Sequence, residues 1–407
     1  MQRYKFILLI LFLPLALYTL WQSIRAFEPR YFLQRLALVF KTKPRAGGIW
    51  IHAASVGEVN AVVPLILKIC KEHPEIPITL TSNTITSAAI ALKQLPGNLQ
   101  HYYFPLDYYW AIKRVMNKIK PKAIFIVETE FWPNLYHYAG KKNIPLIIIN
   151  GRISEKTLHT KDWLKNIYAR TLPLVTHVYA RSETDKERFI ELGTSSEKIE
   201  VLGNIKFYAE ETQNIEPINL QRPYVLAAST RDDEEQVIVE AWLRAQHEHH
   251  LLVIVPRHIQ RLPAILTQLK PFNLKIAIRS KNEPVTEATD IYIADTMGEL
   301  KQFIAGSEFV LMGGSFVEKG GHNILEVAQL GKAVAFGPDM RSFMDEASIF
   351  IQRDAGIQSN NEELPVYLNR LIHDNSYKQN IENNASSLVS SSEDIFNNYY
   401  KVVIQQL

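Results

Sequence analysis

A chain of 407 residues suffices for two or three domains at about 100–200 residues each. With 47% hydrophobic and 21% charged residues, its composition is that of a globular protein, which excludes disordered and collagen-like classes. A single cysteine, Cys70, excludes an internal disulfide and a cysteine-built zinc centre. The net charge of +3 hides an imbalance: residues 1–200 hold 27 Lys/Arg against 15 Asp/Glu and residues 201–407 hold 18 against 27, giving +12 and −9. A basic first half calls for an anionic partner such as phospholipid or phosphate. Nucleic acid is disfavoured, because the cations are dispersed among acids and not gathered into an arm interleaved with aromatics.

The first predicted element is the uncharged run Phe6 to Trp21, close to the roughly 20 residues of a membrane span. Arg3 and Lys5 precede it, and Arg25, Arg30, Arg35, Lys41, Lys43 and Arg45 follow. The positive-inside rule then puts the rest of the chain on the cytoplasmic side of a single-pass anchor over residues 1–22. No small-x-small cleavage site follows, which disfavours a removed signal peptide.

Beyond the anchor, apolar runs at 48–54, 77–82, 100–104, 123–128, 145–150, 177–182 and 199–204 alternate with amphipathic stretches such as 58–71, 107–119 and 183–192. Uninterrupted apolar strands between helices predict a parallel sheet covered on both faces. Apolar density falls at Glu210 to Arg222, and the same pattern restarts at 224–229, 251–256, 275–280, 291–295, 309–314 and 333–338. The fold class expected is therefore α/β, with two doubly wound Rossmann-like domains facing a cleft. The domains span residues 23–209 and 223–375, joined by a linker at 210–222 and followed by a helical segment at 376–407. In such sheets ligands gather at the carboxyl ends of the strands.

The strand-to-helix loops carry the chemistry. Glu58 opens a helix after the first strand, where it can be a base at the mouth of the sheet or a carboxylate complementing the helix dipole. Glu128 and Glu130 follow the fourth strand, and alternation aims both to the same side while the chain stays extended. Lys206 closes the first domain as either a cleft ammonium or an exposed linker lysine. In the second domain Gly313, Gly314 and Ser315, with Gly320 and Gly321 soon after, allow backbone N–H groups to approach a phosphate. Their spacing fits neither the dinucleotide fingerprint nor the P-loop. The acidic run Asp232 to Glu235 reads as a set of helix-dipole partners and not as a cation site.

These loops also carry a resemblance. The segments WIHAASVGEVNA, ETEFWPNL, NGRIS, RSETDKERFIELG, GNIKF, AASTRDDEE, PRH, DTMGEL, GGSF, GGHNILE and FGPDMRSF occur in that order between about residues 46 and 345. Together they resemble the 3-deoxy-D-manno-octulosonic acid (Kdo) transferases of lipopolysaccharide synthesis, membrane-anchored glycosyltransferases of the GT-B fold. There are two departures: Arg231 stands where the resemblance leads one to expect His, and Asn150-Gly151-Arg152 varies an NAR-like segment.

The resemblance implies an inverting, metal-independent transfer of Kdo from CMP-Kdo to a hydroxyl of a lipid A precursor at the cytoplasmic face of the cell inner membrane. It implies Glu58 as proton acceptor, with Glu128 and Lys206 stabilising the transition state. It further implies that CMP is held by Pro256, Arg257, Met297, Gly298, Glu299, Asn323, Ile324, Leu325 and Glu326. No cofactor is expected, since CMP-Kdo is the donor substrate. The anticipated partners are CMP-Kdo, a lipid A precursor and the anionic inner membrane, with no nucleic acid. Two rival readings are a nucleotide-sugar epimerase of similar architecture and a non-enzymatic nucleotide-binding membrane protein.

Overall fold

A computed structural model describes residues 2–40, 45–96, 99–208, 215–247 and 249–407. Lys41, Lys43 and the first part of the expected linker, residues 210–214, lie outside the described residues. The chain divides into two compact units, Met1–Tyr208 with Ser392–Leu407, and Ala209–Ser391.

The first unit is built on seven parallel strands: β1 (Ile49–His52), β2 (Ile78–Ser82), β3 (Gln100–Tyr103), β4 (Ala123–Val127), β5 (Leu146–Gly151), β6 (His177–Ala180) and β7 (Ile199–Val201). Their order is β3-β2-β1-β4-β5-β6-β7. The central strands are buried on both faces, which is why IWIH, AIFIV and LIIING read as unbroken apolar runs and not as alternating ones. Strand order reverses beside β1, so the loops after β1 and β4 open at a switch point of the topology. Glu58 and Glu128 stand on those two loops.

The second unit repeats the design with β8 (Tyr224–Thr230), β9 (Leu251–Pro256), β10 (Ile276–Ile278), β11 (Ile291–Ile293), β12 (Phe309–Met312), β13 (Ala333–Phe336) and β14 (Ile357–Gln358). The order is β10-β11-β9-β8-β12-β13-β14, again parallel. Among the described residues only β14 escaped the sequence; two residues cannot make an apolar run, and the strand forms by pairing with β13.

The C-terminal helix Asn375–Ile404 serves both cores. Ile381 and Tyr377 pack in the core of the second unit, whereas Phe396, Tyr399, Val402 and Val403 complete the core of the first. The N-terminal helix Gln2–Arg25 is long and apolar enough to cross a membrane and mostly unburied.

Candidate active site

Ser55 caps the helix Val56–Glu72, its hydroxyl accepting the Glu58 N–H at 3.3 Å and donating to Glu58 Oε1 at 2.8 Å. Oε2 accepts the Ala54 N–H at 2.7 Å. This reciprocal cap folds the carboxylate back over the end of β1, where only 8% of the residue stays exposed. Burial, reinforced by the nearby negative charge of Glu128, raises its pKa to about 7 against the hydrogen bonds from Ser55 and Ala54. A carboxyl group that titrates near neutrality is in the range suited to a general base.

Glu128 follows β4 directly with φ +57, a left-handed conformation that costs a residue with a side chain about 1–3 kcal/mol. Its carboxylate meets Lys206, Oε1 to Nζ, at 2.5 Å. The expectation that Glu128 and Glu130 share a side needs correction, because this turn ends the extended geometry at Glu128. Glu130 instead accepts from Asn83 Nδ2 at 3.4 Å and lies 4.0 Å from His52 Nε2. Both carboxylates still act on Glu58 through their charge.

Lys206 stands on a single turn, Ile205–Phe207, held from several directions. Asn204 Oδ1 caps it by accepting the Lys206 N–H, and Asn150 Oδ1 accepts the Ile205 N–H, both at 3.1 Å. Tyr399 Oη accepts the Asn150 N–H at 3.2 Å and donates to the Gly203 carbonyl at 2.9 Å. Gly203 has φ +101, and a Cβ there would come within 2.5 Å of Ile395. The last turns of the C-terminal helix thus fix the lysine's backbone, although almost 200 residues of chain separate them.

Beside these predicted residues stand others for which the sequence suggested no role in a site. His52 is fully buried, with Nδ1 3.2 Å from the Thr81 carbonyl and Nε2 unpartnered. Arg35 donates to Asn83 Oδ1 at 3.1 Å and to the Phe104 carbonyl at 2.8 Å. Thr129 Oγ1 and Trp132 Nε1 are also buried without partners. Unsatisfied polar atoms are rare in protein interiors, and here they fall on His52, Arg35, Thr129 and Trp132, close in sequence or in space to Glu130. The one available signal was position: His52 closes β1 just as Glu128 follows β4.

In the second unit the acidic run divides. The helix Glu234–Arg244 starts two residues later than the run, so Glu234 and Glu235 stand in its first turn as expected, both fully buried, while Asp232 and Asp233 precede it. Glu234 accepts the N–H groups of Gly314 at 2.6 Å, Ser315 at 3.1 Å, Phe316 at 2.9 Å and Arg231 at 3.0 Å. Glu235 receives the Thr230 hydroxyl at 2.7 Å and both Arg261 Nη atoms at 2.8 and 3.0 Å. The Gly313-Gly314-Ser315 amides expected to face a phosphate therefore hold an internal carboxylate. Gly313 is needed for another reason: a Cβ there would meet the Ser229 carbonyl and Thr230 Cα at 2.7 Å. The amides of Gly320 and Gly321 are likewise taken, by Asp339 and the Gly314 carbonyl.

Side chains supply the positive charge instead. Arg257 follows β9 directly after Pro256, its N–H bonded to the Thr230 carbonyl at 3.0 Å. Arg231 Nη1 lies 2.6 Å from His258 Nε2. His322, with an unpartnered buried Nε2, is lowered to about 4, chiefly by burial and then by the charges of Arg257, Arg231 and His258. Glu326 is raised by burial, partly countered by Lys301 and Arg257. The predicted Pro256, Arg257 and Asn323 to Glu326 are thus brought together, with Asn323 capping Leu325 at 3.1 Å. Met297 and Gly298 are exposed after β11, while the Glu299 carboxylate is engaged by Arg279 at 2.5 and 2.7 Å and held down at about 2 by that pair.

Residues 30–209 match the family model described as 3-deoxy-D-manno-octulosonic-acid transferase (kdotransferase). The 3-deoxy-D-manno-octulosonic acid transferase of Haemophilus influenzae is 32% identical over 82% of this chain and 81% of its own length. A bifunctional glycosyltransferase/methyltransferase of Fusobacterium nucleatum is 35% identical over 77% of this chain, and the chain spans about half, 51%, of that relative. Among solved structures, UDP-GlcNAc 2-epimerase from Neisseria meningitidis aligns with 87% of this chain and 100% of its own at a TM-score of 0.55 and 14% identity. That likeness speaks for the shared two-unit α/β fold alone.

Proposed function

The chain belongs to the 3-deoxy-D-manno-octulosonic acid transferase family, and from that premise we propose that it moves Kdo from CMP-Kdo to a hydroxyl of a lipid A precursor, with inversion and without a metal ion. The observation that carries the reading is Glu58, a buried carboxylate brought to about 7 at the mouth of β1, beside the Glu128–Lys206 pair at 2.5 Å.

Glu58 takes the proton of the acceptor hydroxyl as its oxygen bonds to the anomeric carbon and the bond to the CMP phosphate breaks. The sugar passes through an oxocarbenium-like state, which Glu128 stabilises together with Lys206, the ammonium orienting the carboxylate by their contact at 2.5 Å. In the second unit Arg257, Arg231, His258 and His322 offer the cationic and N–H groups that a departing phosphate needs. Glu326, in the short helix behind Asn323, is suited to accept bonds from ribose hydroxyls. The +12 charge of residues 1–200 suits a phosphorylated lipid acceptor in an anionic membrane, to which the apolar N-terminal helix attaches the enzyme on its cytoplasmic side.

Incubating the protein with CMP-Kdo and a lipid A precursor and weighing the lipid by mass spectrometry tests this. A gain of one or more Kdo masses is expected; an unchanged lipid with free sugar released points to an epimerase-like reaction, and neither product to a binding protein.

A further inference from the structure

The N-terminal helix passes the length and hydropathy tests of a membrane span, yet it leans on the first unit along its whole course. Near its start the Tyr4 hydroxyl donates to Asp107 Oδ2 at 2.8 Å. One turn on, the Tyr108 hydroxyl donates to the Leu8 carbonyl at 2.8 Å, and the Phe12 ring meets Tyr108 edge-on at 5.3 Å. Leu8 and Leu15 pack against the core of the unit, and Thr19 and Ser23 are buried near the far end. Positions 4, 8, 12, 15, 19 and 23 are spaced by three and four, so they form one stripe of the helix. From Tyr4 to Ser23 that stripe is roughly 28 Å long at 1.5 Å per residue, about the full thickness of a bilayer's hydrocarbon.

A helix fastened to a folded unit over that length cannot cross the bilayer without dragging the unit's flank into hydrocarbon. That flank is charged: the helix Tyr109–Ile119, which begins next to the Tyr108 contact, exposes Lys113, Arg114 and Lys118. The opposite stripe of the N-terminal helix, including Leu9, Ile10, Leu13, Leu17, Trp21 and Ile24, faces outward, and Phe27 beyond it is 94% exposed. Lys5 and Arg25 stand exposed at the two ends. Residues 1–50 hold eight Lys/Arg and a single acid, Glu28, which Arg30 already pairs at 2.5 Å. Such a face attracts anionic headgroups and repels a second copy of itself.

We propose that this helix lies in the plane of an anionic phospholipid bilayer and does not traverse it. Its outward stripe sinks among the acyl chains, with Lys5 and Arg25 at headgroup level. The chain is then held on one leaflet, with both helix ends on the same side as the first unit. This changes the single-pass topology that hydropathy alone suggests, and it is independent of the sugar transferred.

The test places single cysteines in the Cys70→Ser chain at Gln2→Cys, Gln22→Cys and, on the exposed surface of the first unit, Lys93→Cys. A membrane-impermeant maleimide is applied to intact spheroplasts and to inverted inner-membrane vesicles of cells making each variant. All three cysteines should label in the same preparation; labelling of Gln2→Cys from the face opposite Lys93→Cys would overturn the proposal. Separately, Leu13→Glu with Leu17→Glu should lower binding to phosphatidylglycerol vesicles at least tenfold, with an unchanged circular dichroism spectrum and melting temperature. Unchanged vesicle binding, or Leu13→Cys chains that cross-link to each other on the membrane, would also overturn it. Neither readout requires transfer activity, so failure here is separable from failure of the proposed reaction.

Discussion

Glu58 and Glu234 occupy the same place in the two units, at the start of the helix that follows the first strand, and both carboxylates are buried. They differ in how their oxygens are satisfied. Glu234 receives four backbone N–H groups that knot the ends of β8 and β12 together, which leaves it no role but to hold the loop. Glu58 receives one N–H and one hydroxyl and lies within reach of the charges of Glu128 and Glu130. A buried carboxylate with saturated oxygens builds structure, whereas one left short of donors keeps capacity for a proton or a substrate.

The sharpest break in that comparison is Glu58→Gln, which should cut transfer roughly 100-fold or more, the usual loss for a general base, while CMP binding persists. Near-normal turnover would remove Glu58 from the chemistry. In the parent enzyme kcat/KM should rise with pH up to about 7 and then level, as the carboxyl loses its proton. The stability effect has the opposite sense. Folded Glu58 keeps its proton up to about 7, while the unfolded chain releases it near 4.5. The folded state therefore binds the extra proton between those values, and stability falls as pH rises across them. The melting temperature of Glu58→Gln should accordingly gain more, relative to the parent, at pH 8 than at pH 5.

Glu234→Ala is the counterpart: it strips four buried amides of their acceptor and should destabilise the chain by about 2–3 kcal/mol, read by urea unfolding. If stability holds and only transfer is lost, Glu234 belongs to the chemistry after all. Next in size, Arg257→Ala and Glu326→Ala should each weaken CMP binding in calorimetric titration by about 1.5 kcal/mol, leaving Glu58→Ala at parental affinity. Equal CMP affinity in all of them would put the nucleotide elsewhere. The smallest effect is expected for Tyr399→Phe, which deletes one hydroxyl from the support of the Lys206 turn at a cost of about 1 kcal/mol. It should lower kcat with little change in donor KM; a fall in stability alone would make Tyr399 a core residue and nothing more.

Much of this was legible in the order of residues. Thirteen of the strands β1–β14 appear as apolar runs, because a parallel strand covered on both faces admits no polar alternation; β14, two residues long, has no such signature. Glu58, Glu128, Lys206 and Arg257 could be named because each stands immediately beyond a strand or a segment that a doubly wound sheet delivers to its carboxyl edge. Only the tertiary structure could decide how the polar groups pair. The sequence puts Glu234 beside Asp232 and Asp233, and nothing local tells that its partners are amides 80 residues onward. Likewise Tyr399 meets Gly203 across 196 residues, and Tyr4 meets Asp107 across 103. Hydrophobic patterning is periodic and short-ranged, so it is written along the chain. The saturation of a buried carboxylate, or the face on which an apolar helix comes to rest, depends on donors and surfaces that only folding brings within 3 Å.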